Sequence, residues 1–363
     1  MKDLVITGGG TGGHVFPGLA VLRVLEGQAR DGAVSVVWYG SRNGLERRVV
    51  EGQGIPYRGI PAGKLRRYFS ISNLVDTLRV FFGFVAALAL LRKDRPKLVF
   101  SKGGYVTVPV VYAAGLLGIP VVTHESDTDP GLATRLNSRI AKKILLSYEA
   151  TRCYFPRVAP ERLVVTGNPV RPEVLDGEAD RVRRSFGLEE GRPLIVVLGG
   201  SLGASQFNRL LGPILDRLAQ RATICHQRGN QEPLRPDGPG YFSRPLFGPE
   251  YPDLLAAATV VLARAGAGTL AELAVTRKPA VIIPLSAAGS RGDQLRNARV
   301  LAEAGAAVVL DPVTVTSEAL LARLEELLES ESRRRGLQQN IAGLARPEAA
   351  KRAAEELMEF LNP

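Results

Sequence analysis

A short apolar run that meets clustered glycines and then a helical pattern occurs twice in this chain, about half its length apart. Leu4-Val-Ile-Thr7 runs into Gly8-Gly-Gly-Thr-Gly-Gly13 ahead of a helical pattern over 16–25. Leu194-Ile-Val-Val-Leu198 runs into Gly199-Gly-Ser-Leu-Gly203 ahead of a helix predicted over 204–219. Strand, glycine turn and helix open a doubly wound parallel sheet, so two copies predict two such α/β domains in tandem. The length of 363 residues agrees, at ~150 residues per domain. Further apolar runs (34–38, 98–101, 121–123, 143–147, then 223–225, 259–262, 280–283, 307–310) alternate with helical segments in both halves, as parallel α/β architecture requires. Thr166-Gly-Asn-Pro-Val-Arg-Pro172 follows the apolar run 163–165 with two prolines and a glycine, a linker signature. The expected division is therefore a domain at 1–166, a linker at 167–172 and a domain at 173–345. In the tail, 346–363, Ala349, Ala353, Leu357 and Phe360 recur near helical spacing, a helix able to close onto either domain.

Charge separates the halves. The chain carries a net +11, and all of that excess lies before Thr166; the remainder is neutral. Such asymmetry points to an anionic partner for the first half: nucleic acid, an anionic membrane surface or a phosphorylated substrate. A generic basic surface is the plainer reading. Residues 65–97 read as an amphipathic or buried helix: Leu74, Leu78, Phe81, Phe82, Val85 and Leu88 are bracketed by Arg66, Arg67, Arg92, Lys93, Arg95 and Lys97. Apolar surface rimmed by cations fits peripheral attachment to anionic lipid, and a core helix with solvated ends fits equally. The charge-free run 80–91 is too short to span a bilayer, and 103–124 is broken by glycines and prolines. The start, Met1-Lys2-Asp3, does not read as a signal peptide. Two cysteines without CxxC spacing argue against a disulfide scaffold and suit a reducing compartment.

Several chemistries are excluded at the level of motif. The first glycine loop is not a clean GxGxxG and no acid ends the second strand, so it is not the dinucleotide fingerprint; no Gly-Lys-Ser/Thr makes it a Walker loop. No GxSxG elbow and no cluster of metal-ligand spacing is present, so no metal is expected. The basic half lacks the interleaved aromatics of a nucleic-acid surface. What remains is backbone recognition of an anion at glycine-rich helix starts. His14 follows the first loop and suits a general base near neutral pH. His124 and His226 also lie at predicted strand ends, His226 with the weaker claim to function. Gly103-Gly104-Tyr105 makes a second anion loop. Glu125 and Asp127 beside His124 either take or orient a proton, or cap the next helix. In the neutral half, Arg264-Ala-Gly-Ala-Gly-Thr-Leu-Ala-Glu272 brings helix-start amides toward a diphosphate, with Glu272 placed for a ribose diol. The run Asp293-Gln-Leu-Arg-Asn297 offers side chains able to read sugar hydroxyls.

Taken together, these residues resemble the MurG family of bacterial peptidoglycan glycosyltransferases. The match runs in order through Gly8-Gly-Gly-Thr-Gly-Gly-His-Val-Phe-Pro-Gly-Leu-Ala20, Gly103-Gly-Tyr105, His124-Glu125, Gly167-Asn-Pro-Val-Arg171, Gly199-Gly-Ser-Leu-Gly-Ala204, His226-Gln227, the run 264–272 and Gln294-Leu-Arg-Asn-Ala298. The resemblance implies a GT-B fold, two Rossmann-like domains facing a cleft, with the last helix returning to the first domain. It implies inverting transfer of GlcNAc from UDP-GlcNAc to the C4 hydroxyl of MurNAc in lipid I, giving lipid II and UDP without a cofactor, at the cytoplasmic face of the membrane. Carried over, the donor site falls on Thr11, Gly12, Gly13, Asp127, Arg171, Ser201, Gly248, Ala267, Gly268, Thr269, Leu270, Ala271, Glu272 and Gln294. The acceptor diphosphate falls on Gly9, Gly10, Gly103, Gly104 and Tyr105. His14 is the first choice of base and Glu125 the second. Ser126, Asp127 and Asp293 stand where the family commonly has Gln, Asn, and His or Gln, and Pro249 and Pro252 depart from its pattern beside Gly248. A sugar transferase to diacylglycerol, a UDP-GlcNAc 2-epimerase and a non-catalytic nucleotide-sugar or nucleic-acid binder are the alternatives; oligomeric state is left open.

Overall fold

Both strands that precede a glycine run lie in the middle of a parallel sheet. The computed structural model describes residues 2–28, 34–63, 71–199, 205–286 and 292–362. The chain divides into two compact units, Met1–Arg171 with Pro347–Pro363, and Pro172–Arg346. Among the described residues the first unit carries seven strands: β1 (Leu4–Thr7), β2 (Val36–Ser41), β3 (Tyr57–Ile60), β4 (Leu98–Ser101), β5 (Val121–Glu125), β6 (Lys143–Leu146) and β7 (Leu163–Val165). They lie parallel in the order β3-β2-β1-β4-β5-β6-β7. The second unit carries β8 (Leu194–Leu198), β9 (Thr223–Gln227), β10 (Tyr241–Arg244), β11 (Val260–Ala263), β12 (Ala280–Ile282) and β13 (Val308–Val309), parallel in the order β10-β9-β8-β11-β12-β13. In each sheet the order reverses beside the strand that ends in a glycine loop, β1 against β4 and β8 against β11. Ligands of open α/β sheets bind at such switch points, outside the carboxyl ends of the strands.

Helices cover both faces of the first sheet, which is why its strands read as unbroken apolar runs. On one face Val5, Val37, Val99, Val121 and Ile144 pack with Val110 and Val111 of the helix Thr107–Leu116. On the other, Leu4, Ile6, Trp38 and Phe100 pack with Leu22 and Leu25 of the helix Phe16–Gln28 and with Ala353, Ala354 and Leu357 of the helix Ala349–Leu361.

Three expectations need correction. The helix expected over 204–219 is two, Ser205–Leu211 and Leu215–Arg221, joined by a tight turn at Gly212–Ile214, because Pro213 has no N–H to continue the ladder. The edge strands β3 and β10 were not anticipated; their Tyr-Arg-Gly-Ile and Tyr-Phe-Ser-Arg sequences mix apolar and polar residues. β5 and β9 run two residues further than the apolar periodicity indicates. His124 and His226 therefore lie inside buried strands, not at their mouths.

Candidate functional site

In the first unit the loops after β1 and β4 pack directly on each other. Gly103 and Gly104 both adopt the left-handed backbone (φ 89° and 85°) that favours glycine. A Cβ on Gly104 would collide with the carbonyl of Gly9, and one on Gly103 would lie 3.4 Å from the His14 ring. The Tyr105 ring lies against Gly10, where a Cβ would come within 3.1 Å. The residues expected to meet an acceptor diphosphate (Gly9, Gly10, Gly103, Gly104, Tyr105) are thus brought together around His14. Thr11, Gly12 and Gly13 form the short turn that ends at His14, with Thr11 and Gly13 exposed. His14 Nδ1 lies 3.1 Å from the carbonyl of Lys102. That acceptor assigns the Nδ1–H tautomer and leaves the lone pair of the neutral ring on Nε2, the form a base requires.

Two buried charged residues support these loops, and neither is singled out by motif. Glu46 is fully buried; one carboxylate oxygen accepts from the Gly10 amide at 3.2 Å and the other from the Ser41 amide at 3.0 Å. Lys102 lies between β4 and the Gly103-Gly104 pair. Its Nζ is 2.6 Å from His124 Nδ1 and 3.0 Å from Ser126 Oγ. Burial brings this ammonium down to about 7, although Glu125 and Asp127 oppose the shift. His124 Nε2 donates to the Gly167 carbonyl at 3.0 Å, and burial together with Lys102 keeps the ring well below the usual histidine range, hence neutral. The available signal was a lysine directly before a glycine pair at the end of a buried strand.

Glu125 commits its carboxylate to the loop that follows β5: Oε1 accepts from the Asp127 amide and Oε2 from the Gly131 amide, each at 3.0 Å. Gly131 precedes the helix Leu132–Asn137, so this carboxylate shapes the approach to that helix. Against the expectation of no metal-ligand spacing, Asp127-Thr128-Asp129 is an Asp-x-Asp run in the loop after β5. Asp129 pairs with Arg135 at 2.8 Å, and among the described residues no three His, Cys, Asp or Glu side chains converge as metal ligands. Arg171 places its guanidinium 4.5 Å above the Phe16 ring, at the start of the helix that follows the first glycine loop.

In the second unit the loop after β11 leads into the helix Ala267–Val275, so Ala267, Gly268, Thr269, Leu270, Ala271 and Glu272 form its first two turns. Glu272 accepts from the Tyr251 hydroxyl at 2.6 Å, a partner that the sequence did not suggest. Arg264 is buried and stacks 4.5 Å from the Phe207 ring. It donates to the carbonyls of Ile283 (2.9 Å) and Pro284 (3.0 Å) and to Gln206 Oε1 (2.9 Å), tying β11 to the end of β12. Asn297, expected among side chains that read sugar hydroxyls, is instead fully buried and donates to the Ala265 carbonyl at 3.2 Å. Gln294 accepts from the Leu285 amide at 3.0 Å, which places it beside the loop after β12. Gly248 is exposed, next to a Phe247 amide that donates to Gln227 Oε1 at 3.3 Å. Ser201 lies outside the described residues, as do Arg66 and Arg67. Along the helix Ile71–Asp94 a row of apolar side chains (Leu78, Phe81, Phe82, Val85) is 47–58% exposed. Among the described residues no helix is long and apolar enough to cross a membrane.

Comparison with known proteins gives this arrangement a family. Residues 4–146 match the glycosyltransferase family 28 N-terminal domain and residues 194–357 the glycosyltransferase family 28 C-terminal domain. The UDP-N-acetylglucosamine--N-acetylmuramyl-(pentapeptide) pyrophosphoryl-undecaprenol N-acetylglucosamine transferase of Treponema pallidum is 44% identical over 336 residues, covering 90% of this chain and 87% of that protein. The transferase of the same name from Clostridium kluyveri is 38% identical over 329 residues, 90% of this chain and 91% of that one. Among solved structures, MurG of Acinetobacter baumannii superposes with a TM-score of 0.73 at 28% identity, covering 99% of this chain and 100% of that chain. A UDP-GlcNAc 2-epimerase from Neisseria meningitidis shares the fold alone, with a TM-score of 0.68 at 14% identity over 99% and 100% of the two chains. Two Rossmann-like parallel-sheet units with both family domains in order identify the chain as a GT-B glycosyltransferase, a member of glycosyltransferase family 28.

Proposed function

We propose that the chain transfers GlcNAc from UDP-GlcNAc to the C4 hydroxyl of MurNAc in undecaprenyl-diphospho-MurNAc-pentapeptide, with inversion, releasing UDP. The observation that carries the reading is His14: a histidine in the base-competent tautomer, enclosed by the loops after β1 and β4. Family membership and the transferase activity named for relatives at 38–44% identity support the donor and acceptor. In this reading His14 Nε2 takes the proton of the attacking hydroxyl. Glu125, both of whose oxygens accept backbone N–H groups, holds the loop beside it. The donor lies on the second unit: helix-start amides at 267–271 meet the diphosphate, Glu272 holds the ribose diol in the orientation set by Tyr251, Gln294 meets the sugar and Gly248 lies near the base. Charge building on the departing UDP is met by these oriented dipoles.

Attachment to the anionic cytoplasmic face of the membrane through the helix Ile71–Asp94 belongs to the same reading. The test is transfer of labelled GlcNAc from UDP-GlcNAc to a lipid I analogue, beside diacylglycerol and no-acceptor controls. Product with lipid I alone is expected. Product with diacylglycerol, or epimerised UDP-GlcNAc without transfer, would overturn the acceptor assignment.

A further inference from the structure

Lysine is rarely buried unless its charge is held. Lys102 is 1% exposed, and its stem fits because two neighbours lack side chains: a Cβ on Gly8 would lie 3.1 Å from Lys102 Cβ, and one on Gly18 3.3 Å from its Cγ. Its Nζ ends at His124 and Ser126, while its own carbonyl faces His14 Nδ1. A single residue thereby touches both histidines of the first unit. We infer that Lys102 is a positioning residue for the transfer proposed above, and the inference rests on that reading: its ammonium holds His124 in one tautomer and, through it, the turn leading to Arg171, while its carbonyl orients His14.

The hydrogen bonds run in one direction. The ammonium donates to His124 Nδ1, so the ring proton sits on Nε2 and donates to the Gly167 carbonyl, which Thr166 Oγ1 also reaches at 3.1 Å. Gly167 is left-handed (φ 86°), and the side-chain amide of the buried Asn168 beside it has no hydrogen-bond partner, so that side chain does not brace the turn. Four residues beyond Gly167, Arg171 stacks on Phe16, two residues past His14. The path from Lys102 through His124 and the turn thus returns to the first glycine loop. The short hydroxyl of Ser126 accepts from the ammonium. The groups facing Lys102 are His14 from the turn after β1, His124 and Glu125 from β5, and Asp127 beyond it; the two carboxylates favour the charged lysine and burial opposes it.

The test is the pH dependence of kcat/KM for the lipid I analogue, which reports groups of the free enzyme, measured between about pH 6 and 9. The full chain should lose activity as pH rises past about 7, as the ammonium gives up its proton. Lys102→Met, which keeps the stem, should abolish that limb and lower kcat/KM about tenfold, with the KM for UDP-GlcNAc within about twofold of the parent. Ser126→Ala should keep the limb and move it to lower pH, since the charged form has lost an acceptor. A Lys102→Met enzyme with the parent rate, or a slow one that keeps the limb, overturns the inference, as does a parent profile without the limb. If Lys102→Met does not fold, Ser126→Ala decides, and an unmoved limb overturns it. A parent chain that transfers nothing to lipid I at any pH would instead remove the proposed function, and this inference with it.

Discussion

Hydrogen-bond partners, more than residue type, separate the two candidate bases. His14 has one ring nitrogen assigned by a carbonyl, whereas each oxygen of Glu125 accepts a backbone amide. His14→Ala should therefore lower kcat by about 10²–10⁴ while the protein still binds UDP-GlcNAc. Glu125→Gln surrenders one acceptor and should cost about 1–3 kcal/mol of stability with a smaller loss of rate. Steady-state kinetics beside urea unfolding would check both, and the reverse ranking would pass the role of base to Glu125. The buried histidines make a separate prediction. Burial lowers His226 to about 4, its Nδ1 meets the Tyr241 hydroxyl at 3.0 Å, and its Nε2 has no hydrogen-bond partner. Since the unfolded ring takes up its proton near 6.5 and the folded one only near 4, the unfolded state binds more protons as pH falls between those values. Stability should then drop by roughly 2 kcal/mol between about pH 7 and 5 through this residue alone. His226→Gln should remove that part of the slope in urea unfolding followed at both pH values; an unchanged slope would mean that the ring already carries its charge in the fold.

At the level of elements, what was legible followed burial. Strands covered on both faces leave continuous apolar runs, so β1, β4 and β8 could be read directly, and the glycines after them marked the switch points. β3 and β10 hid because an edge strand needs only one apolar neighbour, and the interrupted helix hid because its periodicity continues across Pro213. Motif reading singled out the glycines, His14 and Glu272 as candidates because each stands in a recognisable local run. It passed over Lys102, Glu46 and Tyr251, whose contacts with His124, Gly10 and Glu272 span 22, 36 and 21 residues of sequence. Only tertiary pairing tells such a side chain from a solvated one. The helix Ala349–Leu361 shows which forces hold an element in place. It buries Ala353, Ala354 and Leu357 on the first sheet, and Lys143 reaches its Glu356 and Glu359. Leu357→Ala should cost about 2–5 kcal/mol, as truncation in a packed core does. Lys143→Ala should cost no more than about 1 kcal/mol, since the pair is partly solvated. Denaturant midpoints of the two variants would rank packing against pairing, and a larger loss for Lys143→Ala would invert that order.

For the molecule as a whole, sequence and structure assign different physics to the two halves. The first half holds the entire net charge of +11, and the exposed Leu78, Phe81, Phe82 and Val85 lie in that same half, the two phenylalanines edge to face at 5.8 Å. The sequence left open whether this helix is core or membrane-facing, because its apolar spacing suits both; exposure of that face favours the second. Apolar insertion and cation attraction should then add, each near-surface Lys or Arg contributing about 1 kcal/mol on anionic lipid. The chain should sediment with vesicles of phosphatidylglycerol and phosphatidylcholine, bind phosphatidylcholine vesicles far less, and be released as salt rises. Because each phenylalanine is 58% exposed, the double variant Phe81→Ala, Phe82→Ala forgoes part of two large burials. Its partition onto anionic vesicles should fall by about tenfold or more. Transfer to a short-chain, water-soluble acceptor should be unchanged in that variant while transfer to vesicle-embedded lipid I falls with binding. Equal losses on both acceptors would place the pair in the fold instead of at the membrane. Binding to anionic and neutral vesicles alike would leave the charge asymmetry without a part in attachment.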